Sequence, residues 1–392
     1  MTYVYSVIGF VAFVAFVFPY LVYPSSLLLF GVRRIRPERG ADKVTFTLLF
    51  AAYNEERSLP QKIANVRELK RSEPGLQVVA YCDLSSDRTQ EILEAASDVI
   101  DVIVARERTG KATGMARMVA QARGDVCVFT DANVLLDPSA LSELREYFAD
   151  PAIGGVAGSL IYTNDAESAT ARAGGLYWRL EEVIKSRESA SGSIMGADGS
   201  IFATRRELYP TVPPHLLDDM IVSLSVVLAG KRLVYAPSVR AYERNTTTTN
   251  EEFRRKRRIA CRAFNTHRYL WSDIRSVFGA AGLYKYFSHK VLRWFGLPLL
   301  VIALLAAAAA LASSGHWLVL TGGLAVVVLC LALGASGIPP FALGLQVLIA
   351  ICATFLGVID ALAGRTYQTW TPAASRDTLG VPGKSGSQSS NA

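Results

Sequence analysis

Residues 4–30 carry no charged side chain, and three further apolar stretches follow at 295–312, 317–334 and 341–362. About 20 apolar residues cross the hydrocarbon core of a bilayer as a helix, so each stretch is long enough, or nearly so, to span one. The remainder is not membrane-like. The whole chain is 51% hydrophobic and 19% charged with a mean hydropathy of +0.26, too apolar for an ordinary soluble protein and too polar for one wholly in lipid. The sequence therefore predicts a water-facing domain framed by membrane segments.

Residues 1–32 read as a transmembrane helix. A cleaved signal peptide is the competing reading, but the stretch lacks a basic start, is too long and shows no clear small-residue cleavage site. Arg33, Arg34, Arg36 and Arg39 follow at once, and an excess of Arg and Lys marks the cytoplasmic flank of a span. Residues 43–245 are thus expected on the cytoplasmic side of a multi-pass plasma-membrane protein. Residues 295–363 are expected to supply about three more spans. Counting from an outside N-terminus would put the tail 364–392 outside, but its few charges leave its side open, and from Gly380 its Gly/Ser-rich composition predicts disorder.

Within 43–245, short apolar runs at 44–52, 76–81, 99–104 and 125–130 alternate with polar helical stretches, the pattern of a mostly parallel sheet with crossover helices. From 250 the composition turns basic and aromatic: Arg254, Arg255, Lys256, Arg257, Arg258, Arg262 and Arg268 interleave with Phe253, Phe264, Tyr269 and Trp271. A formal charge of +7 fits nucleic acid, anionic lipid or phosphate-bearing substrates alike. The basic run adjoins apolar spans and no base-reading motif occurs, so 250–294 is read as interfacial helices on membrane lipid, with nucleic acid excluded as a partner. The five cysteines have no CxxC spacing and point to neither a disulfide framework nor a zinc site.

In open α/β sheets ligands bind at the carboxyl ends of strands. The first apolar run ends in Tyr53-Asn54-Glu55-Glu56 and the second in Asp83-Leu84-Ser85-Ser86-Asp87, where a carboxylate can accept from a uracil N–H or a ribose hydroxyl. Taken singly, such residues also serve as helix caps, the role expected of Asp87. Gly110-Lys111 opens a helix and can hold phosphate through backbone N–H groups and an ammonium, without the spacing of an ATPase loop. Asp131-Ala132-Asn133 ends another run, placing two oxygen donors where both can reach one hard divalent cation, Mg²⁺ or Mn²⁺, against a diphosphate.

In that order these four features resemble the family 2 glycosyltransferases. The resemblance implies an α/β GT-A (Rossmann-like) domain inserted between transmembrane helices, with interfacial amphipathic helices, as in the branch containing cellulose, chitin and hyaluronan synthases. It extends to Gly196-Ala197-Asp198-Gly199-Ser200, similar to the family's acceptor-side segment, and to Leu217-Asp218-Asp219, where its catalytic base stands. It implies that Asp219 deprotonates the acceptor. It also implies that Tyr53, Glu55, Asp83, Lys111, Asp131 and Arg258 bind the nucleotide sugar, that Asp198, Gly199 and Asp218 line the acceptor side, and that Asp131 and Asn133 hold the metal. Trp178 is a candidate acceptor contact, against the commoner meaning of a packed aromatic. The polymerising members carry Gln-x-x-Arg-Trp where this chain reads Arg255-Lys256-Arg257-Arg258-Ile259, so the arginine is kept and the stacking tryptophan is not. Two enzyme readings follow: transfer from a UDP-sugar to a growing polysaccharide, or a single addition to a lipid-linked sugar acceptor. A non-catalytic membrane scaffold is the third, opposed by the retention of Asp83, Asp131, Asp219 and Arg258.

Overall fold

The computed structural model describes residues 1–33, 35 and 44–373; Arg34, Arg36, Arg39 and the stretch from Gly380 lie outside the described residues. The N-terminal segment is not one rod. Helix α1 (Thr2–Val17) stops before Pro19, which lacks an N–H and clashes with the preceding turn, and the chain bends by 67° into a second helical stretch opened by α2 (Val22–Ser26).

Eight strands form one sheet: β1 (Phe46–Ala52), β2 (Gln77–Cys82), β3 (Asp101–Val104), β4 (Val126–Asp131), β5 (Leu135–Leu136), β6 (Ile153–Tyr162), β7 (Ile201–Arg205) and β8 (Arg232–Glu243), in the order 3-2-1-4-7-6-8-5. The 3-2-1-4 half is parallel, as βαβ crossovers require. Every residue of β1 is buried, because helices α3 (Leu59–Ser72), α4 (Thr89–Glu94) and α5 (Lys111–Gln121) are shared between the two faces of this half. β7 runs antiparallel between β4 and β6 and ends the nucleotide-binding type of topology. Helices α6 (Ala140–Phe148), α7 (Ala169–Ala190) and α8 (Asp218–Leu228) complete the domain.

Helix α9 (Thr249–Val277) then leads to α10 (Ala280–Tyr286), a π-helical turn at Phe287–Val291 and α11 (Leu292–Trp294). Helices α12 (Gly296–Ser313), α13 (Trp317–Ala335) and α14 (Phe341–Leu362) are each long and apolar enough to cross a membrane. α12 runs antiparallel to α1, with Thr2 bonded to Ser313 at 2.9 Å and Gly9 facing Ala306. α14 does something else: it lies alongside α9 in the same direction. Gln346 bonds Thr249 at 3.0 Å, and Asp360 takes a fork from Arg257 at 2.6 and 2.8 Å. Gly357 permits this approach, since a Cβ there would sit 2.7 Å from that of Ala260.

Candidate active site

The acid-bearing turns gather at the carboxyl ends of β1, β2 and β4. Asn54 and Leu84 take φ of 52° and 51°, turning the chain sharply after β1 and β2. The two turns are laced together: Asn54 accepts from the Ser86 N–H at 2.8 Å, and Asp87 accepts from the N–H groups of Glu56 at 3.1 Å and Thr89 at 3.0 Å. Asp87 thus does the capping work expected of it. Glu55 lies in this turn with its backbone N–H on Thr89 Oγ1 at 2.7 Å.

Asp83 is fully buried and accepts from Arg108 Nε at 3.1 Å and from the N–H groups of Thr109 and Gly110 at 2.8 and 3.1 Å. These atoms fix the loop entering α5, a task that the strand-end position alone did not reveal. Arg108 in turn stacks on Tyr53, 3.1 Å from the ring centroid, and donates to the Trp370 carbonyl at 2.9 Å. Trp370 meets Tyr53 edge-on at 6.0 Å, and the Gln368 carbonyl lies against Gly110. The chain after α14 therefore crosses the turns at the carboxyl ends of β1 and β2 as a strap, over Gly110, Arg108 and Tyr53. Sequence reasoning missed Arg108 and Trp370 because their partners are Tyr53 and each other, 55 and 262 positions apart in the chain.

Lys111 is the hub of the deeper site. As the first residue of α5 it bonds Asp131 at 2.6 Å and lies 4.0 Å from Asp218. Burial alone would lower its pKa, but Asp131 and Asp218 outweigh it and hold the ammonium above its usual range. Asp218 and Asp219 open α8. Asp219 accepts from the Met220 N–H at 2.6 Å, a cap-like bond, yet its other oxygen faces Gly199: a Cβ at Gly199 would lie 3.2 Å from Asp219 Oδ2 and 3.0 Å from Lys111 Nζ. Only glycine leaves that space open. Withdrawal from water and the like charge of Asp218 push the Asp219 carboxyl up to about 7, against the pull of Lys111.

Asp198 pairs with Lys185 at 2.8 Å, and the same ammonium lies 4.6 Å from the Trp178 ring centroid, so Trp178 reaches the 196–200 segment through Lys185 while packing edge-on to Tyr162. Asp218 is held by Arg262 at 3.5 Å. On α9, Arg255 is spoken for by Glu252 at 2.8 Å. Arg258 is different. Among the described residues it donates no hydrogen bond and meets no carboxylate, and burial with Arg262 and Arg255 nearby pushes its pKa down to about 10. Asp131 pulls the other way without bonding it, and a partly buried cation held by no ion pair is a ready anion site. Asn133 donates to Glu243 at 3.1 Å, and among the described residues its amide oxygen accepts nothing. No group of three or more His, Cys, Asp or Glu able to hold a metal occurs among them either, so a cation here would need phosphate oxygens to complete its shell.

A parallel 3-2-1-4 half joined to a mixed half, with acids at the strand ends, is the architecture of a GT-A glycosyltransferase. Residues 44–261 match the family model described as glycosyltransferase like family 2, and the chain belongs to that family. It is similar to the poly-beta-1,6-N-acetyl-D-glucosamine synthase of Staphylococcus aureus (strain COL), 26% identical over 226 residues that cover 54% of each chain. The chain thus spans about half the length of this relative. An N-acetylglucosaminyltransferase of Rhizobium leguminosarum bv. trifolii is 24% identical over 157 residues, 37% of this chain and 86% of that one. In fold, the chain resembles the mannosyltransferase PcManGT from Pyrobaculum calidifontis, solved in complex with GDP-Man and Mn²⁺. That likeness covers 92% of this chain and 99% of that one, with a TM-score of 0.64 at 20% identity.

Proposed function

We propose that this protein is an inverting glycosyltransferase moving a sugar from a UDP-sugar to a growing polysaccharide on the cytoplasmic face of the plasma membrane. The observation that carries the reading is the space over Gly199, bounded by the Asp219 carboxylate and the Lys111 ammonium, with Asp131 bonded to that ammonium at 2.6 Å. An acceptor hydroxyl bonded to Asp219 loses its proton to the carboxylate as its oxygen attacks the anomeric carbon from the face opposite the diphosphate. The bond from that carbon to the diphosphate oxygen breaks, and UDP leaves with the electron pair. Lys111 and Arg258, which is held by no ion pair among the described residues, stabilise the negative charge that develops there. Tyr53, Glu55 and Asp83, at the ends of β1 and β2, frame the nucleoside end, and Asp198, Asp218 and Trp178 frame the acceptor. Asp131 and Asn133, whose amide oxygen accepts nothing among the described residues, would hold a Mg²⁺ or Mn²⁺ ion. When bound, such an ion supplies Lewis-acid neutralisation of the leaving group.

The names of the relatives make UDP-N-acetylglucosamine the first donor to try. Ile259, standing where polymerising members carry tryptophan, favours the second reading, a single addition to a lipid-linked sugar. The test is UDP release by the purified protein in detergent across a panel of UDP-sugars with Mg²⁺ or Mn²⁺, with products sized. A high-mass product from one donor is expected. Release that needs added lipid extract and yields one new species would establish single addition. Asp219→Asn is expected to abolish transfer while keeping UDP binding, and undiminished transfer would remove Asp219 as the base.

A further inference from the structure

Glu188, near the end of α7, is a fully buried carboxylate that three separate parts of the chain reach. From the N-terminal segment the Tyr23 hydroxyl donates to it. From the π-turn between α10 and α11, His289 Nδ1 lies 2.8 Å from its Oε1. From the acceptor segment the Met195 N–H donates to its Oε2 at 3.0 Å, one residue before Gly196. His289 is itself fully buried, and its Nε2 lies 2.6 Å from Glu181 one turn pair earlier on α7, where Arg293 also bonds at 2.6 Å. Carboxylates only accept, so His289 makes both bonds when each ring nitrogen carries a proton. Buried polar groups bonded in the manner of Glu188 and His289 rigidify what they join, and π-turns recur at functional sites.

What is joined is the wall of the acceptor site. Met195 begins the loop whose Asp198 is clamped by Lys185 of the same α7, and whose Gly199 lies between Lys111 and Asp219. We propose that Tyr23, Glu188 and His289 form a positioning relay by which the membrane-proximal ends of the chain set the acceptor segment beside the base. The inference rests on the glycosyltransferase reading above and adds to it that Tyr23 and His289, neither of which touches the donor pocket, control acceptor use. Their bonds to Glu188 reach the acceptor segment through the Met195 N–H, so their loss should misplace residues 195–200 and leave Asp83, Asp131 and Arg258 where they are.

The test uses the full chain in lipid nanodiscs, as His289→Gln and as the milder Tyr23→Phe, which removes one hydroxyl and adds no charge. With UDP-N-acetylglucosamine and Mn²⁺, UDP release to water and UDP affinity are expected to stay at the wild-type level. KM for an added N-acetylglucosamine pentamer should rise about tenfold in His289→Gln and roughly fivefold in Tyr23→Phe, as loss of one bond to a buried charge implies. Amide hydrogen exchange over residues 195–200 should quicken in both variants with no change at 83–89 or 131–136. That measurement needs no substrate, so it tests the relay even if the wild type proves to use another donor. Unchanged acceptor KM and unchanged exchange in the folded Tyr23→Phe protein overturn the proposal. So does a parallel loss of hydrolysis and transfer, the mark of a merely structural role.

Discussion

At Asp219 the arrangement of single charges decides the chemistry. Two carboxylates open one helix, where the dipole favours negative charge, yet their mutual repulsion and partial burial raise Asp219 to about 7. A base works in its deprotonated form, so kcat/KM for transfer is expected to rise with pH through about 7. Replacing Asp218 by Asn removes the like charge, which lowers the Asp219 carboxyl and should move the rising limb to lower pH. A pH–rate profile of both proteins checks this, and a limb that stays in place would assign it to another group. Lys62 is the opposite case, a fully buried ammonium bonded to the Val134 carbonyl at 2.7 Å and pushed down to about 7 by burial. Its unfolded value is 10.5, so between about 7 and 10.5 the unfolded chain binds more protons and stability rises with pH. The Lys62→Met protein is expected to lack that rise, read as urea midpoints at pH values on either side of 8.

At the scale of elements, the strands and the acids at their ends were legible because each is a local pattern: an apolar run followed by polar turn residues. The reading of residues 1–32 as one helix missed the bend at Pro19, although the proline is a local signal. Contacts between elements were not legible. α3 holds the loop after Asp131 through Lys62 and through Asn65, whose side chain bonds both backbone groups of Leu136, at 2.8 and 2.9 Å. Nothing in the spacing of α3 distinguishes that from an ordinary polar face. The strap is of the same kind. Gln368 and Trp370 cover Gly110, Arg108 and Tyr53, where the proposed function puts the nucleotide, so they are expected to compete with it. Trp370→Ala is expected to tighten UDP binding about fivefold, roughly 1 kcal/mol of aromatic and cation–π contact, as measured by calorimetry. Weaker binding would mean that the strap closes over the nucleotide instead.

For the whole molecule, the domain belongs to a family that composition alone could not distinguish from other α/β proteins; the order of four short motifs made it recognisable, and the sheet order bears it out. The membrane parts fasten to that domain by two routes, α1 and α2 through Tyr23 and α14 through Arg257 and Asp360. The strap adds a matter of parity. The chain leaves the catalytic face after α11 and has returned to it by Gln368, and a path that starts and ends on one side of a sheet pierces it an even number of times. If α12 and α13 are the two crossings, α14 cannot be a third. Lying along basic α9, it would then rest in the headgroup layer, and a stretch apolar enough to be counted as a span would serve instead as a keel along α9.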